Sequence, residues 1–131
     1  MSPLNDWQLN LHTAEAMWLP VKSTESPASF PKRKAKLMYE DPVTGKATEW
    51  NPVNNPDQAM KLLMAFHLRI FHYTELDKTR YVGAHERWNT GNSEWEKVYT
   101  QVDPQNPAKS LCRAICKAVV HEHQNGRIPT K

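Results

Sequence analysis

At 131 residues the chain has the length of one domain, and such a chain buries roughly two-thirds of its unfolded surface, so it needs neither a metal nor a disulfide to fold. Apolar residues make up 39% of it, and a net charge of +3 permits an acidic partner without demanding nucleic acid. No apolar run approaches the roughly 20 residues that cross a bilayer, and Met1 to Trp18 lack the basic start and apolar stretch of a secretory signal; the expected compartment is the cytoplasm, with no membrane partner.

The first helix is read from Leu4, Trp7, Leu11, Ala14 and Trp18, which recur at spacings of three and four and share one face. Asn5 or Asp6 caps its start and Pro20 stops it. Residues 20–35 hold three prolines and three serines with almost no apolar periodicity, and are expected to form a flexible loop closed by the basic run Lys32-Arg33-Lys34 and Lys36. A hairpin follows, with Lys36 to Glu40 and Lys46 to Trp50 flanking the turn Asp41 to Gly45.

The second helix is announced by Asn55 as cap, Pro56 at the first helical position and Gln58 completing an approximate capping box. Ala59, Leu63, Phe66 and Ile70 are expected on its buried face, with Met60 and Leu62 beside it, and its end near His67. A three-stranded meander is expected over Arg69 to Thr74, Arg80 to Arg87 and Glu94 to Val102. In its last strand Trp95, Lys97, Tyr99 and Gln101 alternate with Glu96, Val98, Thr100 and Val102; neither set is cleanly apolar, which predicts partial cover on both faces. The third helix opens on Asn106 and Pro107, buries Leu111, Cys112, Ile115, Cys116 and Val119, and ends at Asn125-Gly126. The fold class is therefore α+β: a small antiparallel sheet, made of a meander and a short hairpin and flanked by about three helices, in one sandwich-like domain over 1–131.

Three segments carry a resemblance. Thr13-Ala14-Glu15-Ala16-Met17-Trp18, then Glu49-Trp50-Asn51-Pro52 with Asp57-Gln58-Ala59, then Ala114-Ile115-Cys116-Lys117-Ala118 resemble motifs of small tailed-phage accessory proteins with the phage ABA-sandwich domain. The resemblance covers the first helix and residues 49–120. It departs where the family's A-E-A-M-G-W has a glycine before the tryptophan: here Met17 precedes Trp18 directly. It implies a phage or prophage origin and helices flanking an antiparallel sheet, and it implies no reaction.

Candidate sites are few. Cys112 and Cys116, four apart on a helix, stand about 5–6 Å apart at Cβ, beyond the roughly 3.5–4.5 Å of a disulfide; they read as free thiols in the core rather than as zinc ligands with His121 and His123. With four glycines in all, a glycine-rich phosphate cradle is excluded, and no nucleophile elbow or His-Glu-x-x-His occurs. No catalytic residue, metal or cofactor is expected. Five tryptophans are many for this length: Trp7, Trp18 and Trp50 read as core, whereas Trp88 and Trp95 flank the Asn-Thr-Gly-Asn turn. With Arg87 and Tyr99 they form the expected protein-binding set, in the composition of hot spots. The alternative is nucleic-acid contact through Lys32, Arg33, Lys34 and Lys36, extended by Arg80, Arg87 and Arg113 if the fold gathers them, with sheet aromatics stacking on bases. A third possibility is sequestration of a small nucleotide signal in a pocket. The leading expectation is a non-enzymatic accessory protein that binds a host bacterial protein.

Overall fold

The structure is a computed structural model that describes residues 4–23, 36–89 and 93–129, the side chains of 85–89 and 94–97 aside. Its elements run α1 (Asp6–Ala16), β1 (Lys22–Ser23), β2 (Leu37–Glu40), β3 (Ala47–Glu49), α2 (Pro56–Ala65), β4 (Phe71–Thr74), β5 (Arg80–Asn89), β6 (Glu94–Gln101) and α3 (Pro107–Gln124). The class is the expected α+β. Hairpin and meander are separate antiparallel sheets, ordered β1-β2-β3 and β4-β5-β6. β1 comes from the stretch read as loop: Lys22 and Ser23 pair with Met38 and Leu37. The remainder of that loop, residues 24–35, lies outside the described residues.

α3 is the centre of the molecule. α1 and α2 pack against it, and it packs in turn on β5 and β6. This explains why its burial is wider than one stripe. Ala114, Ala118 and Val120 are buried along with Cys112, Ile115, Cys116 and Val119, while Leu111 is only partly covered. Small residues there let neighbours approach from several sides. The chain continues past α3 through a paired charge: the Glu122 carboxylate, 3% exposed, accepts from Arg127 Nη1 at 2.8 Å.

The buried face of α1 differs from the expected one. Leu9, Asn10, Thr13, Ala14 and Ala16 face inward, whereas Trp7 is 37% and Trp18 is 63% exposed. The reason is polar. Trp50, fully inside, donates its indole N–H to Asn10 O at 3.0 Å and Thr13 Oγ1 at 3.2 Å, and Asn10 Oδ1 accepts from Val53 N at 3.2 Å. A pattern that counts only apolar residues turns this helix the wrong way, because its inward positions include an amide and a hydroxyl that satisfy buried donors.

Residues 49–53 are gripped from both sides. Gln58 Oε1 accepts from Asn51 N at 2.6 Å, and its Nε2 donates to Glu49 O at 2.7 Å. Gln58 therefore does not close a capping box on α2; Asn55 alone caps, accepting from the N–H groups of Asp57 and Gln58. On α1 a true box does form between Asn5 and Gln8. Along α2, Ala59, Leu62 and Phe66 are buried, Leu63 and Ile70 are partly covered, and Met60 is exposed.

The three helices of the described residues end alike. The residue after the C-cap takes a left-handed backbone, with φ +55° at Trp18, +53° at His67 and +79° at Gly126. The next N–H closes a six-residue ring: Leu19 to Ala14 O at 2.9 Å, Leu68 to Leu63 O at 3.0 Å and Arg127 to Glu122 O at 3.0 Å. This is the Schellman arrangement, in which glycine is the usual occupant. At the end of α1 a tryptophan stands in that place: Trp18 itself occupies the left-handed position and is turned out to solvent.

Candidate binding surface

The β4-β5-β6 sheet has two unlike faces. Toward α3 it presents Val82, Ala84 and Val98, which join the core. The opposite face follows from the pleat. On it β4 places Phe71 and Tyr73, β5 places Tyr81 and Gly83, and β6 places Tyr99 and Gln101, with Tyr73 opposite Tyr81 and Gly83 between Phe71 and Tyr99. A bulge at Ala84 then shifts the register, so that His85 pairs with Val98.

Three tyrosines from three strands meet there. Ring centroids are 5.8 Å apart for Tyr73 and Tyr81, 5.6 Å for Tyr81 and Tyr99, and 6.3 Å for Tyr73 and Tyr99. Tyr81 and Tyr99 meet nearly edge to face, at 79°, and Tyr73 is tilted against both. Such pairs add about 0.5–1.5 kcal/mol beyond their area. Phe71 lies over Gly83, whose missing side chain makes room for the ring: any Cβ there runs into the ring. The cluster is nevertheless open, with Tyr73 43% and Tyr99 46% exposed. The Glu75 carboxylate accepts from the Tyr73 hydroxyl and raises that phenol above its ordinary pKa.

Of the expected protein-binding set, Tyr99 sits in this cluster. Arg87, Trp88 and Trp95 lie farther along the same ladder, with Trp88 opposite Trp95 and Arg87 opposite Glu96; their side chains lie outside the described residues. At about 3.3 Å per residue, Trp95 is some 13 Å along β6 from Tyr99. Sequence reasoning missed Phe71, Tyr73 and Tyr81. Their signal is a pair of alternations, Phe71-x-Tyr73 and Tyr81-x-Gly83, which gain meaning only once the register places them beside Tyr99.

The expected basic surface falls mostly on residues outside those described, the Arg87 side chain among them. Lys32, Arg33 and Lys34 lie outside the described residues, and Lys36 is exposed ahead of β2. Arg113 does not extend it: its guanidinium pairs with Asp6, which also holds Lys109 at 3.0 Å. Cys112 and Cys116 are free and buried, and burial raises both thiols. Among the described residues no three of His, Cys, Asp and Glu stand close enough to hold a metal ion, and no helix is long and apolar enough to cross a membrane. No known protein family, curated protein or solved structure matches the chain.

Proposed function

We propose that this protein acts by binding rather than by catalysis, and that the open aromatic face of β4-β5-β6 docks on a partner protein. The tyrosine cluster carries this reading: two exposed phenols, Tyr73 and Tyr99, with the half-buried Tyr81 and Phe71 form one amphipathic patch, and tyrosine is among the residue types enriched where binding energy concentrates. Together with the tailed-phage resemblance, the reading makes the protein a phage- or prophage-encoded accessory factor and the partner a host protein. Two features favour protein over nucleic acid. Bases stack on rings that offer a bare face, whereas these rings pack against one another at steep angles. The Glu75 carboxylate beside Tyr73 also opposes a phosphate backbone.

The test is affinity capture from a bacterial lysate with the native chain and with the Tyr73→Ser/Tyr99→Ser double variant. Both residues are exposed, so the double variant keeps its fold by circular dichroism. Capture of one partner by the native chain, weakened by at least about 2 kcal/mol in the variant, supports the reading. Equal capture by both, or tight retention of single-stranded DNA or RNA at physiological salt in place of protein, sinks it.

A further inference from the structure

A second surface adjoins the gripped segment 49–53. A cleft of about 850 Å³ opens between the first turn of α1, the start of β2, the segment after β3 and the first turn of α3. That volume is within the roughly 300–1,000 Å³ of small-ligand sites, and the cleft shares no residue with the tyrosine face.

Its lining offers three kinds of group. The first is a row of amides. Asn10 is 7% exposed; its Oδ1 accepts from Val53 N, and its Nδ2 donates to Asn51 Oδ1 at 2.8 Å. Asn54 Nδ2 donates to the same Asn51 oxygen at 3.1 Å. Both lone pairs of that oxygen are thus taken. A carboxamide has two donors and two lone pairs, so among the described residues each of the three has capacity left over: the second N–H and second lone pair of Asn10, both N–H groups of Asn51, and the second N–H and the carbonyl of Asn54. They make a donor–acceptor edge fixed by its own network. The second kind is aromatic: Trp7, partly exposed, lines the same cleft. The third is cationic. Lys36 and Lys109 line it against Asp6 and Glu49, and Asp6 is already held by Lys109 and by Arg113. The lining thus carries two positive and two negative charges, and Arg113, outside the lining, adds a third positive charge at Asp6.

We propose that this cleft binds a small, flat heteroaromatic ligand carrying one anionic group, the chemistry of a nucleoside monophosphate. The ring lies on Trp7, its polar edge meets the spare amide groups of Asn10, Asn51 and Asn54, and the anion is taken between Lys36 and Lys109. Each element answers a different part of the ligand, so loss of any part weakens binding.

The experiment is calorimetric titration of the full chain with the monophosphates of adenosine, guanosine, cytidine and uridine, and with the matching nucleosides and ribose 5-phosphate. The expected result is saturable binding of at least one monophosphate in the roughly micromolar to millimolar range, at least about tenfold weaker for its nucleoside and for ribose 5-phosphate. Trp7→Leu and, separately, Lys36→Gln each weaken it by about tenfold, while Tyr99→Ser leaves it unchanged. Lys36 is exposed, so its variant serves even if Trp7→Leu fails to fold. No saturation by any of the four with folded protein overturns the proposal. So does binding that Lys36→Gln and Trp7→Leu both leave intact, or binding of ribose 5-phosphate as tight as that of the nucleotide. The tyrosine-face reading is untouched by any of these outcomes.

Discussion

Gln58→Glu exchanges one amide nitrogen for an oxygen and alters nothing else in shape. The native side chain is 4% exposed and works in both directions, accepting from Asn51 N at 2.6 Å and donating to Glu49 O at 2.7 Å. An ionised glutamate keeps the first bond and loses the second. It also sets a carboxylate oxygen against a carbonyl oxygen, with no donor between them. A lost hydrogen bond costs about 1 kcal/mol, and a buried polar group left unsatisfied costs about 1–3 kcal/mol more. The expected deficit at pH 7 is therefore about 3 kcal/mol, or roughly 10 °C in melting temperature for a domain of this size. A protonated glutamate restores the donor. Folding therefore raises the pKa of the introduced carboxyl above its unfolded value of about 4.3. The sign follows: the native-like stability is present below pH 4.3 and is lost as pH rises through the folded pKa. Denaturant melts of both proteins at pH 4.5 and pH 7 measure the difference. A deficit below about 1 kcal/mol at pH 7, or one that does not shrink at pH 4.5, refutes the two-way grip on residues 49–51.

Three further outcomes are expected. Burial holds the Cys116 thiol far above its ordinary pKa, so the unfolded chain gives up that proton first, and stability present below pH 8.5 falls as pH rises beyond it; between pH 8.5 and 10 the loss approaches about 2 kcal/mol, and melts of Cys116→Ala should lack this component. Gly126 has φ +79° and open space where a Cβ would stand, so Gly126→Ala should cost about 1 kcal/mol of backbone strain alone, whereas Trp18→Gly should relieve strain of that size at an exposed position; a melt in which both shift the same way contradicts the shared helix ending. Arg127→Ala removes the 2.8 Å charge-assisted bond to the buried Glu122 carboxylate, and urea unfolding should show a loss of about 1.5–3 kcal/mol.

The parts of the fold readable in the sequence are those set by local chemistry. Asn-Pro at 55–56 and 106–107 places two helix starts correctly, and the Asp41 to Gly45 turn places the hairpin. Errors arise where a distant partner decides. The inward face of α1 is fixed by Trp50 and Val53, some forty residues away in the chain, and so Trp7 and Trp18 were expected inside. Gln58 fits a capping motif by spacing, yet its side chain is claimed by the segment before the helix. β1 has only two residues, and its pairing with β2 leaves no periodic signal for a strand.

The candidate surfaces follow the same division, with a sharper consequence for function. The residues most conspicuous in the sequence were tryptophans and a run of charge, because rarity and net charge are visible without a fold. A binding surface is made instead by register. Tyr73, Tyr81 and Tyr99 are unremarkable singly, spread over three strands, and become one patch because β4, β5 and β6 align them on the face that α3 leaves uncovered. Likewise Asn10, Asn51 and Asn54 read as helix and turn polarity until Asn51 Oδ1 is seen to accept from both of the others. The motifs that suggested a family therefore have a physical role even without a matching relative. Trp50 fastens the segment after β3 to α1, and Gln58 fastens it to α2, so this segment fixes the wall on which the amide row stands. Mutations that loosen the grip should weaken ligand binding in the cleft before they unfold the protein, whereas the tyrosine face, carried by a different sheet, should keep its geometry.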